Sequence, residues 1–312
     1  MTFALAAALL APTSALATTG GTADTGSSLV EESFVAEAPR VDVLFVIDNS
    51  CSMAVHAQAM ADGLPTWFDA VVASGIDFHV GVTTTDFAAS AGCQPLGTPL
   101  NGQLRPFGAE RWIDPTTPSG GTTFAQLVDV GTDGAACERG LSAGYAAITQ
   151  RPENLGFHRE GVPLHTIFVS DGEDQSNQGP RPLNAQVYAN WYTTLPQTSA
   201  IHTVTCANAV APCGAQVGQR YQQMRDATGG VGVSILHPST WTGLSDAVLV
   251  DPDDTFVLAQ EADESSLSVL IERVDGTIDD ASFAYDSATL TVTLSGAELQ
   301  AGDEVLITYE PA

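Results

Sequence analysis

Val41-Asp42-Val43-Leu44-Phe45-Val46-Ile47 runs straight into Asp48-Asn49-Ser50-Cys51-Ser52-Met53. A short apolar run that ends abruptly in Asp-x-Ser-x-Ser reads as a buried parallel strand. Asp48, Ser50 and Ser52 then share one tight loop at the strand's C-terminal tip and offer three hard oxygen ligands. One carboxylate and two hydroxyls suit Mg²⁺, which demands octahedral oxygen geometry at roughly 2.0–2.1 Å and usually completes its shell with water or a partner's oxygen.

A second run, Leu164-His165-Thr166-Ile167-Phe168-Val169-Ser170, ends the same way in Asp171-Gly172-Glu173-Asp174. In an open α/β sheet, ligands collect in the crevice at the C-terminal ends of the strands, so two acidic tips on adjacent strands converge on one point. Asp48-x-Ser50-x-Ser52 followed by Ser170-Asp171-Gly172-Glu173 resembles the metal-ion-dependent adhesion site of von Willebrand factor A-type domains, the kind found in many secreted bacterial proteins. The resemblance covers Val41 to Val250 and implies a doubly wound, mostly parallel α/β sheet. It also implies three metal-holding loops: Asp48, Ser50 and Ser52 on the first, a Thr on the second and Asp171 on the third. For the Thr, Gly131-Thr132-Asp133-Gly134 lies between a short helix at Phe124–Val128 and a helix expected over Ala136–Ile148. Thr132 is therefore the choice, with Thr123 in reserve. Cys51 departs from the small residue usual at its position.

The composition narrows the partners. Of 312 residues 37 are acidic and 10 basic, all ten Arg, for a formal net charge of -27. Such a surface repels phosphate backbones, which argues against nucleic acid and favours divalent cations and basic surfaces. A saline habitat or genomic base composition accounts for the charge equally well.

Residues Met1 to Ala17 resemble a signal peptide that lacks a basic n-region: a short apolar core at Phe3–Leu10 precedes Ala15-Leu16-Ala17, an A-x-A cleavage pattern. The core is too short for a permanent membrane span. A secreted, cell-surface or periplasmic location follows as the expectation. Five cysteines fit an exported chain. Cys206 and Cys213 flank a short loop and are expected to pair; among Cys51, Cys93 and Cys137, both Cys51–Cys137 and Cys93–Cys137 are open. None of the spacings suits zinc.

Residues 18–40 read as a linker, Thr/Gly/Ser-rich over Thr18–Ser28. Alternating strand and helix patterns then run to residue 250. After Asp251 the period becomes two, and residues 251–312 form a small antiparallel β module. Asp86, at the end of the strand Asp77–Thr84, either faces the metal as an acceptor or caps the following turn. Glu173 and Asp174 are candidates for orienting hydroxyls and waters around the ion. The six histidines form no metal or triad pattern, and His79, His165 and His202 fall within strands.

Three functions compete. The first is a secreted adhesion-type binding protein, not an enzyme, in which Mg²⁺ (with Mn²⁺ or Ca²⁺ as substitutes) takes an exposed carboxylate of a partner protein as its last ligand. The neutral hydroxyls leave the cation under-neutralised, which makes an incoming carboxylate attractive. The second is a structural or surface-assembly module whose metal, if any, only staples loops. The third is a metal-assisted hydrolase, for which the sequence shows no base or nucleophile.

Overall fold

The computed structural model describes residues 29–87, 98–178, 184–196, 199–206, 217–249 and 254–312. The chain divides into two compact units, one of residues 40–250 and one formed by the two chain ends.

In chain order, β1 (Val30–Val35) belongs to the end unit, and the α/β unit then begins with β2 (Arg40–Ile47), α1 (Ala57–Ala73) and β3 (Asp77–Thr84). It continues through β4 (Trp112–Ile113), α2 (Gly120–Val128), α3 (Gly140–Thr149), β5 (Leu164–Ser170) and α4 (Ala185–Tyr192). It closes with β6 (Ala200–Thr205), α5 (Gln219–Thr228), β7 (Gly232–Ser234) and α6 (Thr242–Val248). The sheet order is β4-β3-β2-β5-β6-β7, with β4 alone antiparallel.

Residues 41–47 of β2 and all seven of β5 are buried, as a strand covered on both faces requires. One face packs on α1, α2 and α6 through Phe45, Trp67, Phe124 and Leu244. Phe45 meets Trp67 edge-on at 4.8 Å, and Phe68 stacks on Phe124 at 4.7 Å. Each such buried ring contributes on the order of 1.5–3 kcal/mol by leaving water. The other face packs on α3, α4 and α5 through Leu44, Phe168, Tyr188 and Tyr221. Connections leave β2 toward β3 on one side and reach β5 on the other, so the strand order reverses between the tips of β2 and β5. That is where a doubly wound sheet leaves a crevice.

Asp42 interrupts the apolar run of β2 at full burial. Arg159 compensates: its backbone N–H and Nε donate to the two Asp42 oxygens at 2.6 and 2.9 Å, and its Nη1 reaches Asp77 Oδ2 at 2.8 Å. Burial still raises the Asp42 carboxyl above its ordinary range, with Arg159 pulling against it.

The end unit adds β8 (Thr255–Val257), β9 (Ser268–Glu272), β10 (Ile278–Asp280), β11 (Ser282–Asp286), β12 (Thr291–Ser295) and β13 (Glu304–Tyr309). These form two antiparallel sheets, β1-β13-β9-β10 and β11-β12-β8. The stretch 18–40 is thus not linker throughout. Val30–Val35 pairs with the last strand from Val30↔Tyr309 to Val35↔Glu304, and buried Glu32 accepts from Tyr309 Oη and the Ala259 N–H. Pairing across the whole chain length has no local sequence signal.

Residues 1–17, read as signal-like, lie outside the described residues. Among those described, no helix is long and apolar enough to cross a membrane. Cys51 is a free, exposed thiol, which removes the Cys51–Cys137 alternative; Cys137 and Cys206 are each disulfide-bonded. Cys93 and Cys213 fall outside the described residues.

Candidate metal centre

Backbone pairing brings the two strand tips together before any side chain acts: Asp48 N–H donates to Val169 O at 2.8 Å. Asp48 is fully buried. Its Oδ1 accepts from Ser50 N–H at 2.8 Å, and its Oδ2 accepts from Ser170 Oγ at 2.6 Å. Ser50 Oγ lies 2.9 Å from Ser52 Oγ, which donates to Asp171 Oδ1 at 2.9 Å. Asp48, Ser50, Ser52 and Asp171 therefore form one continuous oxygen cluster from two loops. A turn of 3₁₀ helix, Cys51–His56, follows and brings buried His56 Nε2 to 3.7 Å from Asp171 Oδ2. His56 Nε2 has no hydrogen-bond partner among the described residues.

Asp86 holds the first two loops together. Its Oδ2 accepts from Asn49 Nδ2 at 2.8 Å and its Oδ1 from Ala135 N–H at 2.7 Å, while Gly134 N–H donates to Asn49 O at 2.7 Å. Gly134 is required here, because a Cβ would sit 2.3 Å from Asn49 Oδ1.

Glu173 and Asp174 point elsewhere. Glu173 accepts from the N–H groups of Gln219 and Arg220 at 2.7 and 2.9 Å, at the start of α5. Asp174 accepts from Leu141 N–H at 3.0 Å, in the first turn of α3, and from Ser176. Both carboxylates satisfy helix N-termini, where orphan donors and the helix dipole favour them.

Thr132 lines the same cleft of about 480 Å³ as Asp48, together with Met53, Gln58, Asp129 and Gly131. No hydrogen bond among the described residues ties it to Ser50, Ser52 or Asp171. Thr123 lies in the first turn of α2, the end that approaches Phe68 and Asp69 late in α1, whereas the cleft faces Ala57 and Ala61 at the start of that helix. That places Thr123 at the far end of α2 from the cluster.

The residue that sequence reading passes over is Glu138. A helix expected from Ala136 swallows it, but α3 begins only at Gly140, and Glu138 stands buried in the loop before it. The Glu138 carboxyl feels the charges of Asp48 and Asp171. Burial, then repulsion from Asp48, pushes Glu138 up to about 8; burial pushes Asp48 up to about 6 against hydrogen bonds from Ser170 and Ser50. The one usable signal was the acid in Cys137-Glu138-Arg139-Gly140, where a Gly can mark a helix's true start.

Among the described residues, no three His, Cys, Asp or Glu side chains converge tightly enough to hold an ion by themselves. Hydroxyls must complete any shell, and Ser50 and Ser52 are placed to do so. Buried carboxylates with raised pKa, two hydroxyls between them and an unpartnered His56 Nε2 fit a small hard cation, which would relieve the repulsion.

No family model and no curated protein matches the chain. Solved structures do resemble it: a von Willebrand factor type A protein from Catenulispora acidiphila (15% identity, TM-score 0.44, 91% of this chain and 61% of that one) and the pilus adhesin SpaC from Lactobacillus rhamnosus GG (13%, 0.47, 92% and 42%). The pilus adhesin RrgA from Streptococcus pneumoniae is a third (10%, 0.36, 90% and 58%). The chain spans less than two thirds of each, and at TM-scores below 0.5 the likenesses assign no function.

Proposed function

We propose that this protein is a secreted or surface-exposed binding module of the von Willebrand factor A type, which holds Mg²⁺, or Mn²⁺ or Ca²⁺ in its place, at Asp48, Ser50, Ser52 and Asp171. The observation that carries this reading is Ser52 Oγ, which links Ser50 Oγ and Asp171 Oδ1 at 2.9 Å each and so joins loops 119 residues apart into one oxygen cluster. When bound, the cation supplies an electrophilic point for an oxygen of a partner protein. The chain's own residues do the rest: Asp86 and Gly134 fix the first loop against the second, Ser170 orients Asp48, and the cleft beside Thr132 leaves room for an incoming side chain.

Adhesion fits better than catalysis. The polar groups around Asp48 are acceptors and hydroxyls already committed to one another, and burial lowers the pKa of the nearby His56 imidazole against the pull of Asp171. The surface-assembly alternative draws on the end unit, where Val35, Val257, Val274 and Ile278 are exposed.

Calorimetry of the full chain with Mg²⁺ and Mn²⁺, beside Asp48→Ala, tests the site. Binding that persists unchanged in the variant refutes it. Capture of surface proteins with and without chelator then separates the readings: chelator-sensitive capture supports metal-dependent adhesion, and capture by the end unit's surface, indifferent to chelator, supports assembly.

A further inference from the structure

The four-stranded sheet of the end unit has one covered face and one open face. On the covered face Phe34, Ile307, Tyr309 and Ile271 turn into the unit's core, where Phe34 meets Phe256 of the second sheet at 5.2 Å. The alternate residues point away from it. The register β1-β13-β9-β10 sets them in rows across all four strands: Val35, Glu304, Glu272 and Ile278 in one, and Ser33, Leu306, Leu270 and Asp280 in the next.

This face is not that of an ordinary solvated sheet. Glu304 and Glu272 stand directly opposite each other, a like-charge pair that costs stability. Val35 and Ile278, at the two ends of their row, are each 62% exposed, and Leu306 and Leu270 are half-buried on the side away from the core. Ser33 Oγ donates to Glu304 Oε1, which leaves the charge in place. Neither row holds a basic residue, and Arg273, next to Glu272 in the chain, commits its guanidinium to Asp279 and Asp303. A second copy of the chain is a poor occupant, because it would bring the same carboxylates against these from a protein of net charge -27. A cationic side chain with an apolar stem is a good one: its stem covers Leu306 and Leu270 while its head reaches Glu304 and Glu272 together.

We propose that this open face docks a partner protein that presents Arg or Lys between apolar side chains, with the cationic head between Glu304 and Glu272 and the apolar neighbours against Val35, Leu306 and Ile278. Four strands make the footprint about 14 Å wide. The docking stands whether or not the Asp48 site holds a cation.

The probe is a fluorescently labelled nonapeptide, VTRTVTRTV, whose alternate residues put Val and Arg on one face of an extended strand; it is titrated into the full chain at low ionic strength with chelator present. Removing the paired charges in Glu272→Gln/Glu304→Gln is expected to weaken binding at least about tenfold. Glu110→Gln/Asp246→Asn, which removes two exposed charges from the α/β unit, is expected to leave it within about twofold. The first variant is expected to melt no lower than wild type, because a like-charge pair has gone, so unfolding does not account for its loss of binding. Val35→Ser/Ile278→Ser is expected to weaken binding with no change of charge. Carbodiimide labelling of carboxylates, read by mass spectrometry, is expected to show Glu272 and Glu304 protected by the peptide. Equal weakening in the two charge variants, or protection spread over acidic residues of both units, overturns the proposal in favour of general attraction to an acidic chain. No binding to wild type overturns it outright. Self-association in sedimentation that Val35→Ser/Ile278→Ser abolishes overturns it in favour of a second copy as the occupant.

Discussion

Ser170 Oγ donates to Asp48 Oδ2 at 2.6 Å across 122 residues of sequence, and its oxygen in turn accepts from Gly172 N–H at 3.0 Å. One hydroxyl thus orients the buried carboxylate of the first loop and fixes the backbone of the third. Ser170→Ala should lower stability by about 1–2 kcal/mol in urea titration, the usual cost of stranding a buried acceptor. It should also weaken Mg²⁺ binding in calorimetry without abolishing it. Unchanged stability and affinity together would show that the bond is dispensable.

Thr123 and Thr132 separate cleanly. Thr123→Val should leave Mg²⁺ affinity at the wild-type value, because its place in the first turn of α2 is remote from the cleft. Thr132→Val, at the cleft beside Asp48, should lower affinity by no more than about twofold, a few tenths of a kcal/mol. A large loss in Thr132→Val would make Thr132 a ligand, as the sequence reading expects.

Arg159 matters for a different reason. It neutralises Asp42 in the middle of the central strand, so Arg159→Met should cost about 3–5 kcal/mol by leaving a buried carboxylate unpaired. Adding Asp42→Asn should recover part of that loss in the same urea titration, and no recovery would mean that packing of the Arg stem dominates.

Acid stability should depend on the stacked pair His165 and His202. Val231 N–H donates to His202 Nδ1 at 3.0 Å, which puts the His202 proton on Nε2, 2.8 Å from His165 Nδ1. Burial holds His165 down to about 4 and His202 down to about 3, from an ordinary 6.5. The unfolded chain therefore takes up protons below pH 6.5 that the folded chain refuses. The pair's contribution is full above that pH and is lost progressively as pH falls toward 4. Asp48 and Glu138, raised by burial, act in the opposite sense, so the difference between variant and wild type isolates the pair. His202→Gln should flatten the decline between pH 6.5 and 4 in chemical denaturation series, and parallel pH profiles would exclude the pair as its cause.

The sequence determined what is local or periodic. The apolar runs of β2 and β5, each ending in an acidic loop, placed Asp48, Ser50, Ser52 and Asp171 at strand tips because a strand buried on both faces has no other way to read. The change of period after Asp251 marked the β module for the same reason. Tertiary structure decided the rest. Where α3 starts depends on Asp174 and Ser176, which satisfy the N–H groups of Leu141 and Ser142 from a loop more than thirty residues on, and on Gly140, where a Cβ would strike Tyr221. That late start leaves Glu138 buried in the loop before the helix. The same holds for β1, which pairs among the described residues with β13 alone, some 270 residues on. Caps and pairings supplied from a distance leave no trace in neighbouring residues, so the surroundings of Asp48 became legible only when the loops were brought together.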